Sequence, residues 1–353
     1  MRGLSDWLDE RLRLRAVRDF LGHKRVPMHH HSIWYYLGGL TLFLFLVQVA
    51  SGVLLLLYYR PAPDSAFESV RFIVARVPYG WLIRSIHAWA ANLMVGAAFA
   101  HLFSVLFLKA YRAPRELTWT SGCLLMALTL AFGFSGYLLP WNELALFATK
   151  VGTDIVGATP VVGQWIRFVL RGGDEVTGAT LTRFFGFHVA LLPLVVTLLL
   201  LVHFALVQVH GISEPIRAKT PARHMPFYPQ FTLRELLVWL GVLGVLVALA
   251  TFMPWELGRK ADPFAPAPEG IRPEWYFTFM SQTLKYLPPT IFGFEGEHVG
   301  ILTFGALALA LFAVPLLDRR AARGQPSPVV SIAGGIVLVF ALVMTFLAYV
   351  KPY

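Results

Sequence analysis

Long apolar stretches alternate with short polar ones along the whole chain. Seven of the apolar stretches approach or exceed the length of about 20 residues that a helix needs to cross a hydrocarbon core. They lie at 33–58, 81–108, 117–139, 183–209, 233–254, 299–317 and 329–350. The pattern predicts an all-α membrane protein with about seven transmembrane helices.

Polar segments divide these helices into groups. A segment near 210–232 separates the first four predicted helices from the last three. Three parts are therefore expected: an N-terminal amphipathic segment (1–32), a four-helix bundle (33–210) and a three-helix module (211–353). Residues 4–22 mix apolar with charged positions, which predicts either a helix on the membrane surface or an ordinary packed helix. The segments 140–182 and 255–298 are longer than simple turns, and such loops usually carry function or docking.

Charge is sparse and lies beside the apolar stretches. Only 14% of the 353 residues are charged, 57% are hydrophobic, and the net charge is +10. Lys and Arg flank the predicted helices, as membrane topology rules expect, and they do not form a basic groove with stacking aromatics, so nucleic acid is not an expected partner. Seven of the 30 Lys and Arg fall within the first 25 residues. This bias predicts a cytoplasmic N-terminus, with 59–80, 140–182 and 255–298 outside.

The chain has one cysteine, Cys123, inside an apolar stretch. A single thiol excludes disulfides, CxxC metal sites and CxxCH haem attachment within this chain.

Four histidines fall inside predicted membrane helices, and they form two matched pairs. One such His is as well explained by an interior hydrogen bond as by function, although intramembrane imidazoles are costly. His87 and His101 are 14 residues apart, or about 21 Å along a helix, and His188 and His203 are 15 apart, or about 22 Å. The alternating topology places His87 opposite His188 near the outer surface, and His101 opposite His203 near the inner one. Two stacked bis-imidazole haem sites in a four-helix bundle are the natural product.

Glycines and arginines repeat this spacing. Gly38 and Gly52 are 14 apart in the first helix, and so are Gly122 and Gly136 in the third. A glycine lets a flat macrocycle approach the backbone, although small residues also pack membrane helices together. Three arginines lie where haem propionates would need cations, or where an interfacial side chain would simply reach towards water. They are Arg84 and Arg183 for the outer site and Arg115 for the inner one.

At this point several segments resemble cytochrome b of Rieske/cytochrome b (bc1/b6f) complexes over nearly the whole chain. They are WLIRSIHAWAANLMV (81–95), PRELTWTSG (114–122), GYLLPWNE (136–143), TLTRFFGFH (180–188) and PEWYF (273–277). The 15-residue histidine spacing, the helix count and IWYYLGGLTL (33–42) are most similar to the b6f type, with the b6 and subunit IV parts fused. The resemblance implies a bacterial enzyme of the cytoplasmic (inner) membrane.

One position departs from that type. The plastid sequences carry a cysteine where this chain has Tyr36, and that cysteine holds a covalent haem. The resemblance and the lone Cys123 together predict two haem b groups and no covalent haem c, while a further non-covalent haem stays open. Gln208 and Val209 also depart from the basic residues usual after the fourth helix.

The resemblance implies a quinol-oxidation pocket on the outer side, formed by Pro273, Glu274 and Tyr276. A carboxylate there could accept a quinol proton, and the alternative is a solvated loop charge. The implied reaction is that of a quinol–cytochrome c reductase. One quinol electron passes to a Rieske iron–sulfur protein and a c-type cytochrome, and the other crosses through the outer and inner haems to quinone, with proton translocation. The quinone pool, lipids and a homodimer of the complex are the other expected partners.

The inner quinone site is poorly marked, with His210, Lys219, His224 and Glu235 as candidates. Two other classes compete with the main hypothesis. A cytochrome b anchor of a dehydrogenase or hydrogenase also uses bis-His haems, but normally lacks PEWY and the three-helix module. A proton-relay transporter would be colourless and would not explain matched histidine and glycine pairs.

Overall fold

The computed structural model describes residues 3–214, 216, 223–268 and 270–350. Within this part of the chain, six helical segments are long and apolar enough to cross a membrane. They are Ser32–Leu56, Gly80–Phe107, Glu116–Tyr137, Gly178–His210, Phe227–Phe252 and Pro328–Val350. The prediction of an all-α membrane protein is confirmed, and the chain is a multi-pass membrane protein.

The described helices are numbered in chain order. They are α1 (Leu4–Leu12), α2 (Leu14–His23), α3 (Tyr36–Leu56), α4 (Ala66–Arg76), α5 (Gly80–Phe107), α6 (Glu116–Tyr137), α7 (Glu143–Gly157), α8 (Gly163–Arg171), α9 (Gly178–Gly186), α10 (Leu192–His210), α11 (Thr232–Phe252), α12 (Trp275–Tyr286), α13 (Gly296–Phe312), α14 (Val314–Leu317), α15 (Arg319–Ala322) and α16 (Pro328–Val350).

Six helices rather than seven reach full spanning length, and the difference lies in the predicted span 299–317. That stretch begins earlier and ends earlier, as the 17-residue α13. Its length of about 26 Å is at the lower end of what a hydrocarbon core needs. The helix ends at Phe312 and is capped by Ala313, and Pro315 lies in the first turn of α14, which follows. Proline cannot donate the next helical hydrogen bond, so the apolar stretch is not one straight helix.

The first four long helices pack as two close pairs. Helix α3 lies along α5, and α6 lies along α10. Helix α11 then packs on α3 and α5, while α16 packs on α5 and α12. Leu44, Ala90, Met94 and Leu246 form a buried apolar cluster where α3, α5 and α11 meet. Helix α5 therefore contacts both the four-helix part and the C-terminal part.

The segments predicted as long outer loops contain helices of their own. Helix α4 lies within 59–80, α7 and α8 lie within 140–182, and α12 lies within 255–298. A buried cluster that includes Leu138, Trp141, Leu181 and Phe184 joins α7 and α9 to the end of α6. Arg171 of α8 is fully buried beneath them. Its guanidinium donates to Thr153 Oγ1, to Asp154 Oδ1 and to the Lys150 and Asp174 carbonyls, which ties α8 to α7 and to the segment before α9.

Two short sheets complete the described structure. Strand β1 (Arg25–Met28) pairs antiparallel with β2 (Arg223–Pro226), so the N-terminal segment is joined to the segment that precedes α11. A hairpin of β3 (Thr290–Ile291) and β4 (Phe294–Glu295) precedes α13 on the opposite side of the membrane helices.

A buried polar cluster joins the two halves of the chain at the end of α5. Tyr111 donates to Asp318 Oδ2 at 2.5 Å, and Lys109 Nζ lies 3.4 Å from the same carboxylate. Burial alone would raise the pKa of Asp318, but the hydrogen bonds from Ser327 and Tyr111 and the charge of Lys109 outweigh it and hold the pKa below its usual value. The indole of Trp119 donates to the Leu311 carbonyl beside this cluster.

Candidate functional site

The four membrane histidines meet in two pairs across the bundle. His87 and His101 lie on α5, and His188 and His203 lie on the continuous helical segment Gly178–His210. The rings of His87 and His188 have centroids 6.4 Å apart and planes at 76°. A metal–imidazole bond is about 2.0–2.1 Å long, and about 1.1 Å from nitrogen to ring centroid on each side puts two axial imidazoles about 6.3 Å apart. The outer pair therefore has the spacing of two ligands on one iron. His101 and His203 form the second pair, close enough for direct electrostatic interaction.

Serine hydroxyls orient three of these rings. Nδ1 of His87 lies 2.9 Å from Ser51 Oγ, Nδ1 of His203 lies 2.9 Å from Ser121 Oγ, and Nδ1 of His188 lies 3.2 Å from Ser135 Oγ. Each hydroxyl donates its own hydrogen to a carbonyl of its own helix, so it accepts from the imidazole N–H. This assignment leaves Nε2 without a proton and free for iron, which is the usual arrangement of a metal-binding histidine.

Sequence reasoning missed these serines, although each directly precedes one of the predicted glycines. Three Ser-Gly pairs on two helices were the available signal: 51–52, 121–122 and 135–136. The fourth glycine, Gly38, follows a leucine, and among the described residues Nδ1 of its neighbour His101 has no hydrogen-bond partner.

The glycines themselves lie against the imidazoles. A Cβ placed on them would come 3.3 Å (Gly38), 3.3 Å (Gly52), 3.4 Å (Gly122) and 2.5 Å (Gly136) from Cε1 of His101, His87, His203 and His188, respectively. An added Cβ would make an ordinary contact at Gly122, a tight one at Gly38 and Gly52, and a severe clash with the His188 ring at Gly136. In this structure the four glycines therefore approach the imidazole rings, while their predicted contact with a macrocycle stays a prediction.

A turn of π-helix at Phe187–Leu191 contains His188. A π-helical turn takes up one residue more than an α-helical turn. The 15 residues from His188 to His203 therefore give about the same rotation around the helix axis as 14 α-helical residues. The angle between His188 and His203 is then nearly the same as that between His87 and His101 on α5. Pro193 follows within the next turn, and because proline lacks an N–H the regular α-helical bond at this point is absent. Pro193 was the sequence signal for this irregularity.

The outer histidines line a cavity of about 350 Å³ that also reaches the predicted quinol residues. Its walls include His87, His188, Gly52, Gly136, Glu274 and Tyr276. The volume lies within the range of small-molecule sites, and most of the lining is apolar. Gln48 reaches the same cavity and donates to the His87 carbonyl at 2.6 Å.

Pro273 and Glu274 immediately precede α12, and Tyr276 lies in its first turn. Glu274 is half-buried at the cavity wall rather than free in solvent, and burial raises the pKa of its carboxyl above the ordinary value. Burial likewise raises the pKa of the Tyr276 phenol, whose hydroxyl lies against Gly133 of α6. Thr278 Oγ1 lies 3.1 Å from both the Pro273 and the Glu274 carbonyls, which fixes this stretch of backbone.

The three predicted propionate arginines occupy different surroundings. Arg84 is buried and lines the cavity, but its guanidinium donates to the carbonyls of Trp255 and Glu256. Arg183 is exposed and donates to carbonyls of α8. Arg115 donates to carbonyls at the end of α10. Their role towards propionates stays a prediction.

The inner quinone candidates do not converge on one site. Glu235 extends from the start of α11 to Gly39 of α3, and within the described part of the chain its Oε1 has no hydrogen-bond partner. His210 ends α10, while His224 lies on β2, 3.3 Å from the Glu214 carboxylate. Lys219 lies outside the described residues.

Known families and proteins are similar to this chain over almost its whole length. Residues 23–211 match the family described as "Cytochrome b/b6/petB", and residues 260–352 match "Cytochrome b(C-terminal)/b6/petD". A "Cytochrome bc complex cytochrome b subunit" from Chlorobaculum thiosulfatiphilum is 47% identical over 99% of this chain and 81% of its own length. A "Cytochrome b6" from Stigeoclonium helveticum is 45% identical over 61% of this chain and all of its own length. A chain of the solved structure "Hyperthermophilic respiratory Complex III" superposes with a TM-score of 0.87 at 31% identity, over 99% of this chain and 92% of that one.

Proposed function

The chain belongs to the cytochrome b family, as the cytochrome b subunit of a bc/b6f-type oxidoreductase complex, and from that premise we propose that it oxidises quinol in the outer cavity. The reaction proposed is that of a quinol–cytochrome c reductase. One electron of each quinol leaves to a Rieske iron–sulfur protein and then to a c-type cytochrome. The other crosses the membrane to reduce quinone on the inner face, with protons taken up inside and released outside.

The observation that carries this proposal is the shared cavity. Glu274 and the ligand pair His87 and His188 line one continuous space. A quinol bound there would lie beside a carboxyl that can accept its proton and beside the site where its electron is taken up. A match to the C-terminal family also separates the chain from a cytochrome b anchor, for which that region is not expected.

Glu274 acts in this proposal as the proton acceptor for a quinol hydroxyl. Its raised pKa brings the carboxyl closer to the range in which it can both take up and release a proton near neutral pH. The Tyr276 hydroxyl, which lies against Gly133, would hydrogen-bond the ring oxygen of the quinol. Pro273 sets the extended backbone just before α12.

The four histidines are proposed to hold two b haems, which the family implies as cofactors. Bound haem would supply one-electron transfer between the two faces of the membrane. His87 with His188, and His101 with His203, would each complete the coordination of one iron through Nε2. Gly38, Gly52, Gly122 and Gly136 keep the ring edges unobstructed. No covalent haem is proposed, because the resemblance expects the attaching cysteine at position 36, where this chain has a tyrosine whose ring stacks 4.8 Å from that of Phe231.

The remaining assignments follow the family. The complex is proposed to lie in a bacterial cytoplasmic membrane as a dimer, with the N-terminus inside. Glu235, which is half-buried where α11 meets α3, is proposed to deliver a proton to quinone on the inner face. The four-helix part 33–210 would carry the haems, and the module 211–353 would complete the quinol site.

The test is haem analysis combined with quinol oxidation by the purified complex. We expect two non-covalent b haems per chain, no band with a covalent-haem stain, and reduction of a c-type acceptor by added quinol. His188→Leu and His203→Leu should each abolish haem binding at their own site. His298→Leu is the control, because that side chain lies on the outer surface beside Glu295. One haem or none in the wild-type chain would contradict the four-ligand assignment, and two haems without quinol oxidation would contradict the catalytic proposal.

A further inference from the structure

An amide in the middle of a membrane helix connects the haem helix to the quinol segment. Asn92 of α5 lies five residues after His87 and lines the same cavity. Its Oδ1 accepts a hydrogen bond from Trp275 Nε1 at 2.9 Å, and its Nδ2 donates to the Ala88 carbonyl at 3.0 Å. Polar side chains at membrane depth are costly, so an amide that is bonded on both sides calls for a specific role.

Asn92 belongs to a stripe along one face of α5. Ser85, Trp89 and Asn92 follow the i, i+4, i+7 spacing that places side chains on one face of a helix. Ser85 Oγ accepts from the Trp255 amide at 3.0 Å, and the Trp89 indole donates to the Met253 carbonyl at 2.9 Å. All three therefore hold the segment from 253 to 275, while His87 faces away from this stripe by about 160°.

Trp275 is the first residue of α12 and lies between Glu274 and Tyr276. The Tyr276 ring lies 5.4 Å from the indole in an edge-to-face contact, and Phe99 of α5 lies 6.4 Å from it. Thr278 holds the carbonyls of Pro273 and Glu274 from within α12. The bond from Trp275 to Asn92 joins this rigid helix start to α5.

We propose that Asn92 is a positioning residue for quinol oxidation, acting through the Trp275 indole to fix Glu274 and Tyr276 relative to the helix that carries His87. This inference rests on the proposed function of the cavity. Proton and electron acceptor must be correctly placed around one quinol, and misplacement by about 1 Å can cost about 100-fold in rate. The bond acts on geometry alone, since Asn92 itself neither accepts the proton nor binds the haem.

The test is a double-mutant cycle in the purified, haem-loaded complex. Asn92→Leu removes the acceptor with little change in volume, and Trp275→Phe removes the donor from the other side. A reduced short-chain quinone is the substrate. For Asn92→Leu we expect kcat to fall about 10-fold or more, with KM within about twofold of wild type and an unchanged midpoint potential of the outer haem. Because both changes break one bond, the double variant should be no slower than the slower single variant.

Thr283→Val is the matched control on α12, because the Thr283 hydroxyl donates only within its own helix, to Phe279 at 2.7 Å. It should leave kcat and KM unchanged. If the complex that carries Asn92→Leu does not assemble, the Trp275→Phe complex alone must show a lower kcat with an unchanged KM. Native kinetics of Asn92→Leu in a complex whose wild type oxidises quinol would overturn this inference alone, as would additive effects in the double variant. A wild-type complex that does not oxidise quinol would overturn the proposed function.

Discussion

Gly136→Ala is expected to weaken haem binding at the outer site, whereas Gly122→Ala on the same helix is expected to be tolerated. An added Cβ at position 136 would lie 2.5 Å from Cε1, 3.0 Å from Nδ1 and 3.1 Å from Nε2 of His188. At position 122 the nearest contact is 3.4 Å, to Cε1 of His203. Carbon atoms pack at about 3.5–4.0 Å, so only the first substitution forces the ring to move, by about 1 Å.

The size of the effect follows from what such a movement disturbs. The 6.4 Å spacing of the His87 and His188 rings would change, and the 3.2 Å contact of His188 Nδ1 with Ser135 would be strained or lost. Overpacking of this kind costs about 1–3 kcal/mol. If the cost falls on the haem-bound state, haem affinity drops by about 5- to 150-fold, at about 1.4 kcal/mol per tenfold.

The assay is haem quantitation of both variants by pyridine haemochrome, with redox difference spectra to identify the haem affected. Gly136→Ala should show a substoichiometric or spectrally altered outer haem and an intact inner one. Gly122→Ala, made in the same way, should retain both. Two unaltered haems in Gly136→Ala would refute the reasoning, because the imidazole could not then have the position described.

Three further changes test other parts of the molecule. Glu274→Gln should slow quinol oxidation and flatten the dependence of its rate on pH. In the wild type the rate should rise as the pH passes through the raised pKa of Glu274, because the carboxylate then forms. Steady-state rates of quinol oxidation measured across pH test this prediction. Asp318→Asn leaves Lys109 buried without its partner and should destabilise the chain by about 3–5 kcal/mol, read as a lower thermal unfolding midpoint. Since the pKa of Asp318 lies below its usual value, the wild type should keep this contribution at neutral pH and lose it only as pH falls through the depressed pKa. Arg171→Met should make α7 and α8 more susceptible to proteolysis, because Thr153 Oγ1, the Lys150 carbonyl and Asp154 Oδ1 lose their donor. Each lost hydrogen bond costs about 1–3 kcal/mol where the acceptor is buried, and less where water can replace the donor.

The membrane helices and the histidine pairs could be predicted because both depend on local regularities. Hydrocarbon thickness sets the length of an apolar stretch, and helical rise converts a spacing of 14 residues into a fixed depth. The α13 helix was misplaced because its apolar stretch continues through Pro315 into a separate turn. The helices α4, α7 and α8 were missed because their amphipathic pattern is short and lies between much stronger membrane signals.

Contacts between distant segments could not be predicted in the same way. The sequence contains the Ser-Gly pairs and Asn92, but it does not say which carbonyl or indole will lie opposite them after folding. Asn92 and Trp275 are 183 residues apart, and their bond depends on how α12 packs against α5. The π-helical turn could be predicted only in part. Pro193 indicates that the helix is irregular there, but the direction in which the turn points His188 can be seen only in the folded helix.

Helix α5 resolves a geometric difficulty of a site built from two modules. His87, which is proposed to bind iron, and Glu274, the proposed proton acceptor, are 187 residues apart in the chain, yet one quinol would have to reach both. Ser85, Trp89 and Asn92 hold the segment 253–275 directly to α5. The three hydrogen bonds join α5 directly to Met253, Trp255 and Trp275, and none of them involves a residue of the connection near 210–232.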